Sequence, residues 1–155
     1  MMKKLHFVFT AFLLPSLLAS AHAAPCADAE ELEALRVRAL QTELMVAALS
    51  CDSGPQYNQF IHDYSRDLKT HASGLRGYFE RIYGPDGEMQ MNRYITKLAN
   101  DVSTRSGGNG KLNFCTEATT LSKEVLARQK LRLVNFRYLS SIPLCADLFK
   151  PKGGI

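Results

Sequence analysis

PQYNQFIHDYSRDLKTHASGLRGYFERIY, residues 55–83, is the most regular stretch of the chain, and its reading decides the fold class. Ile61, Leu68, Leu75 and Ile82 recur every seven residues. Beside them runs a second seven-residue column of Tyr57, Tyr64, His71 and Tyr78, and Phe60 and Phe79 widen the face. His62, Asp63, Arg66, Asp67 and Lys69 fill the remaining surface. An apolar seven-residue repeat with a charged back is the pattern of a bundle helix. The spacing predicts one helix from Pro55 to Tyr83. Pro55 suits the first turn with Ser53 or Gly54 as cap, and Gly84-Pro85-Asp86-Gly87 stops it.

The flanks repeat the theme. Upstream, a helix is expected from Asp28 to Leu49. Asp28 and Glu31 form a capping pair, and the acidic first turn suits the helix dipole. Leu32, Leu35, Ala39 and Val46 mark one stripe, and Leu40, Leu44 and Ala47 an adjacent one, so the apolar face is wide. Downstream, Met91, Tyr94, Ile95, Leu98 and Val102 define a helix over Met89–Ser103. After the breaker Gly107-Gly108-Asn109-Gly110, a last helix is expected from Asn113 to just before Pro143. Phe114, Ala118, Leu121 and Val125 begin its stripe. The pattern then shifts to Leu131, Val134 and Tyr138, which predicts a bend or register change near Arg128. The segment Pro143–Phe149 is apolar enough to dock, and residues 150–155 are expected to be a disordered tail.

Short connections between long helices force antiparallel neighbours. The expected fold is therefore all-α, a four-helix up-down-up-down bundle. It follows a signal peptide: Lys3 and Lys4 precede an apolar run from Phe7 to Leu18, and Ala21-His22-Ala23 is a cleavage site. That run falls short of the about 20 residues that span a bilayer. Cleavage after Ala23 leaves a domain over 24–149 in the periplasm or secreted, with no transmembrane segment.

All four cysteines, Cys26, Cys51, Cys115 and Cys145, lie beyond the cleavage site. An even count in an exported chain reads as disulfides. The rival, a metal site or redox pair, lacks a C-x-x-C motif and a histidine near any cysteine. Topology sorts the pairs, because a disulfide needs Cα atoms roughly 4.4–6.8 Å apart and a long helix separates its ends by about 30 Å. Cys51 and Cys115 fall at one end of the bundle, Cys26 and Cys145 at the other. Charge agrees, with Glu30, Glu31 and Glu33 at the Cys26 end of the first helix and Arg132 and Arg137 near the same end of the last.

Losing Lys3 and Lys4 leaves 17 basic and 15 acidic residues, net +2, from the +4 of the whole chain. So near a balance argues against a nucleic-acid partner. Four polar-tipped rings, Tyr57, Tyr64, His71 and Tyr78, form a candidate ligand groove, although rings at a core boundary more often bury their bodies and wet their tips. His62-Asp63-Tyr64 is not a catalytic set, since helix neighbours share no face. Lys123, Lys130 and Arg137, flanked by Arg128 and Arg132, form a candidate basic face for weak contact with an anionic surface. Asn100, Ser103 and Ser106 form a weak polar cluster. No residue pattern implies a cofactor, a metal site or catalysis.

One stretch resembles a family of small secreted alphaproteobacterial proteins. The likeness rests on Leu40-Gln41, then Leu44-Met45-Val46-Ala47-Ala48-Leu49-Ser50-Cys51, then Tyr57-Asn58-x-Phe60. Thr96-Lys97-Leu98-Ala99-Asn100, Ser103, Ser106 and Phe114-Cys115 continue it, over Leu35 to Cys115. The resemblance implies a periplasmic setting and structural cysteines at Cys51 and Cys115. It brings no activity and no catalytic residue. The expected function is a non-enzymatic binding or interaction module presenting a rigid helical face to a protein or envelope component. The alternative is a carrier of a small ligand or cofactor with a pocket inside the bundle.

Overall fold

The computed structural model describes residues 26–128, 130 and 131. It contains α1 (Ala29–Ser50), α2 (Gly54–Asp63), α3 (Ser65–Tyr83), α4 (Gly87–Arg105) and α5 (Lys111–Leu126), with single 3-10 turns at Gly84–Asp86 and Gly108–Gly110. There is no strand among the described residues. α2 and α3 are halves of one bent rod, so the chain builds four rods, as expected of an all-α bundle.

α1 begins where its sequence says it should. The Asp28 carboxylate accepts from the N–H groups of Glu30 and Glu31 at 2.9 Å, and Glu31 reaches back to accept from the Asp28 N–H at 3.0 Å. This capping box satisfies donors that a helix start leaves open. Beyond it, Ala34, Leu35, Val37, Ala39, Leu40, Thr42, Glu43, Leu44, Val46 and Ala47 are all buried. Those positions run round the helix and are not confined to one stripe. A helix apolar on every side is a central one, and α1 packs against each of the other four.

Directions follow from its partners. Near its start α1 meets the end of α3 (Glu31 with Arg81), and Leu35 meets Tyr94 of α4. Near its end Glu43 meets Arg105 of α4, and Cys51 meets Cys115 of α5. The order is up, down, up, down. Three apolar clusters stack along α1. Leu35, Leu75, Tyr78, Phe79 and Tyr94 form the cluster near its start. Val37, Leu40, Leu44, Phe60, Tyr64 and Val125 join α2 and α5 to its middle. Val46, Ala47, Val102, Phe114 and Ala118 close its far end.

Two expectations need correction. The helix over 55–83 is not continuous. It bends at Tyr64 (φ −106°, ψ 17°), although the Tyr64 N–H still donates to the Phe60 carbonyl at 3.1 Å. Burying the Tyr64 ring brings its hydroxyl to the carbonyls of Val125 and Arg128, both at 2.6 Å, which one O–H can serve only as a shared donor. The last helix is not continuous either: α5 ends at Leu126, close to the bend or register change expected near Arg128, and Asp67 of the bent rod accepts from the Leu131 N–H at 3.2 Å. The rest of the expected helix, from residue 132, lies outside the described residues.

The turn between α3 and α4 is tighter than its four-residue breaker requires. Gly84 adopts φ 54°, and a Cβ on Gly87 would lie 2.8 Å from the Glu80 Cα. The expected signal peptide 1–23, the tail from Pro143, and Cys145, Arg132 and Arg137 lie outside the described residues. Between described residues the disulfide is Cys51–Cys115; Cys26 is disulfide-bonded as well, and Cys145, the partner expected for it, lies outside them.

Candidate functional site

Three levels along α1 carry polar chemistry, each built on a guanidinium. At the lower level Arg81 of α3 donates to Glu31 through Nε at 2.8 Å and through Nη2, which also donates to the Cys26 carbonyl at 3.1 Å. Those hydrogen bonds from Arg81 hold the Glu31 carboxyl below its ordinary pKa against the opposing effect of burial. Glu31 therefore pairs with α3, while Arg132 and Arg137, with which its charge was matched, lie outside the described residues.

At the upper level Glu43, 6% exposed, accepts from Arg105 at 3.1 Å and 2.6 Å in a two-pronged pair. The Arg105 guanidinium lies 5.8 Å from the centre of the Phe114 ring. One residue along, the Ser50 hydroxyl donates to the Ser106 hydroxyl at 3.3 Å, which donates to the Ser103 carbonyl at 2.9 Å. Cys51 and Cys115, with Cα atoms 5.4 Å apart, tie α1 to α5 beside this network. On the outer side of the same end, Leu49 and Leu112 are 83% and 82% exposed.

The middle level is different. A cleft of about 120 Å³ opens between α1, α3 and α4. Ala34, Val37, Leu68, Leu75, Met91 and Ile95 give it apolar walls, and Arg38, Gln41, His71 and Arg76 give it polar ones. Arg38 donates from Nη1 to Gln41 Oε1 at 3.3 Å, while its buried Nε has no acceptor among the described residues.

The expected tyrosine groove is thus dispersed. Tyr64 and Tyr78 are core residues, 5% and 0% exposed, in different clusters. Tyr57 only flanks the first of these, and His71 alone lines the cleft. Burial raises the phenol pKa of Tyr64, Tyr78 and Tyr94, so these rings stay neutral. His62 and Asp63 meet at 3.0 Å on the surface while Tyr64 turns inward, so the three do not converge. Lys123, Arg128 and Lys130 are exposed, but α5 ends at Leu126, so helical spacing does not align Lys130 with Lys123. Ser103 and Ser106 of the polar cluster do meet.

Glu43, Arg105 and Arg38 escaped the reading of the sequence. Glu43 had one signal, a carboxylate inside the apolar run Leu40–Ala47. Among the described residues no group of three or more His, Cys, Asp and Glu side chains could hold a metal, and no helix is long and apolar enough to cross a membrane. Compared with family models, with curated proteins and with solved structures, the chain finds no match.

Proposed function

We propose that this chain is an exported, non-enzymatic interaction module that offers its Leu49–Leu112 end to a protein of the periplasm or envelope. The observation behind this reading is the pair of large apolar side chains left in water on an end that is otherwise fastened on every side. Two leucines so exposed have no packing role there. The disulfide and the Glu43–Arg105 pair hold α1, α4 and α5 in fixed relation, so the partner meets a preformed surface and little ordering entropy is lost on binding. A cleaved leader, the second disulfide Cys26–Cys145 and membership among small exported alphaproteobacterial proteins belong to the same reading. The stacked, filled core clusters favour it over a carrier with a large internal pocket.

Photo-crosslinking from position 112 in the exported full chain tests it, with position 88 at the opposite end as control. A discrete adduct from position 112 that disappears in Leu49→Asp is expected. Equal adducts from both positions, or none from position 112, would overturn the proposal. Unreduced peptide mapping of the exported protein should yield a Cys26–Cys145 peptide and an N-terminus at Ala24.

A further inference from the structure

Guanidinium groups lie at three levels along α1, and two of them meet a carboxylate. Arg81 has Glu31 and Arg105 has Glu43. Among the described residues Arg38, at the middle level, meets only the Gln41 amide oxygen at 3.3 Å, and its Nε is sealed from water with no acceptor among them. A buried donor left without an acceptor is costly, the more so on a charged group. Arg38 lines the cleft between α1, α3 and α4, where His71 and Arg76 add basic character and no described lining residue is acidic. The opposite wall is apolar, with Leu68, Met91 and Ile95.

We propose that this cleft binds a small monocarboxylate with a short apolar body. The carboxylate supplies at the middle level what Glu31 and Glu43 supply at the other two, and the body lies against Met91 and Ile95. A guanidinium fork matches a planar carboxylate better than a point anion. The size is right for a ligand of this class: an apolar cavity of about 150 Å³ admits benzene, and this cleft of about 120 Å³ is partly open, so the ligand need not be wholly enclosed. Inorganic phosphate, fully hydrated and without an apolar part, would forgo the Leu68–Met91–Ile95 wall. The site is separate from the Leu49–Leu112 end and stands or falls apart from it.

Titration of the purified full-length mature protein with butyrate, benzoate, 1-butanol and inorganic phosphate, followed by amide chemical shifts, tests the proposal. Saturable shifts at Arg38, Met91 and Ile95 are expected for the two carboxylates, at least tenfold weaker for 1-butanol and phosphate. Arg38→Gln should weaken benzoate at least tenfold, and Arg38→Lys should restore part of the loss. Ala72 also lines the cleft; Ala72→Phe, which narrows it and leaves Arg38 in place, should abolish the shifts, and it keeps the test decisive if Arg38→Gln does not fold. No saturable shift with either carboxylate, or equal affinity for phosphate, would overturn the assignment.

Discussion

The two ends of this bundle are closed by different means. The upper end has a covalent link, Cys51–Cys115, a nearly buried ion pair and a serine relay, spanned by a glycine-rich turn with little of its own to bury. The lower end has the disulfide-bonded Cys26, whose partner lies outside the described residues. Between described residues it is closed by aromatic contacts, with Phe79 5.6 Å from Tyr94 and 5.9 Å from Tyr83 between ring centres, by a tight turn, and by the Glu31–Arg81 pair at its edge. Apolar contact stabilises wherever enough area is buried. The α4–α5 turn, with Gly107 to Asn113 exposed, buries little, so covalent and ionic links take over there.

The largest way to break this contrast is to cut the disulfide. It closes a 64-residue separation, for which chain entropy gives about 4 kcal/mol. Cys51→Ala with Cys115→Ala should lower the urea midpoint accordingly, and hydrogen exchange should quicken first in α5. The same double substitution at Cys26 and Cys145 should cost less, because it would free chain ends and leave the middle of the bundle packed.

Next comes the upper ion pair. Glu43→Ala strands a charge against α1, and breaking a buried pair costs about 3–5 kcal/mol. Arg105 is 37% exposed, which brings the expected loss down to about 2 kcal/mol. At the lower end Glu31→Ala should cost less, about 1 kcal/mol, since the Glu31 side chain is 13% exposed against 7% for Glu43 and its pair is the less desolvated. Parity between the two in denaturant melts would show that the ends do not differ in this way.

Tyr64→Phe sharpens the comparison from between the ends. It removes the donor shared by the Val125 and Arg128 carbonyls, worth about 1 kcal/mol, and should fray the end of α5 without moving the upper disulfide. Amide exchange at Leu126 to Arg128 reads it directly.

The smallest effect is a pH dependence. Glu31 has a folded pKa lowered mainly by its hydrogen bonds from Arg81. Its contribution is present in full above the unfolded glutamate value, about 4.3, and is lost as pH falls through the lower folded value. Acid melts should therefore separate wild type from Glu31→Gln above about pH 5 and bring them together at strongly acid pH.

Much of this architecture was legible in the residues. The Asp28–Glu31 box, the Gly and Pro turns and the Cys51–Cys115 pairing arise from local chemistry and from which helix ends must meet. The bend at Tyr64 did not, because the apolar repeat Ile61, Leu68, Leu75 runs through it unbroken, and its cause is a hydroxyl reaching carbonyls more than sixty residues away. The end of α5 was hidden for the same reason, since Tyr64 and Asp67 of the bent rod bind the Arg128 carbonyl and the Leu131 N–H just past it. Arg38 sits on an α1 face that would be solvent-facing in a one-stripe helix, and only with α1 at the centre does that face become interior. Glu43 lies within the predicted apolar face, between Ala39 and Leu40 on one side and Val46 and Ala47 on the other, but its partner Arg105 is on another helix. The levels of the site could therefore not be read before the position of α1 was known.

The central place of α1 also governs the order in which the molecule can form. Its first cluster partners, Leu75, Tyr78 and Tyr94, lie far downstream, and Val125 and Leu131 come later still. A chain emerging from its N-terminus, at a ribosome or through a membrane pore, brings out the core helix first and the residues that cover it last. Until then α1 is an apolar segment with nothing to pack against, and contacts between distant parts of a chain are slow to form. The chain must have emerged through Leu131 before this core can close, so closing it is a late step for a chain that emerges from its N-terminus.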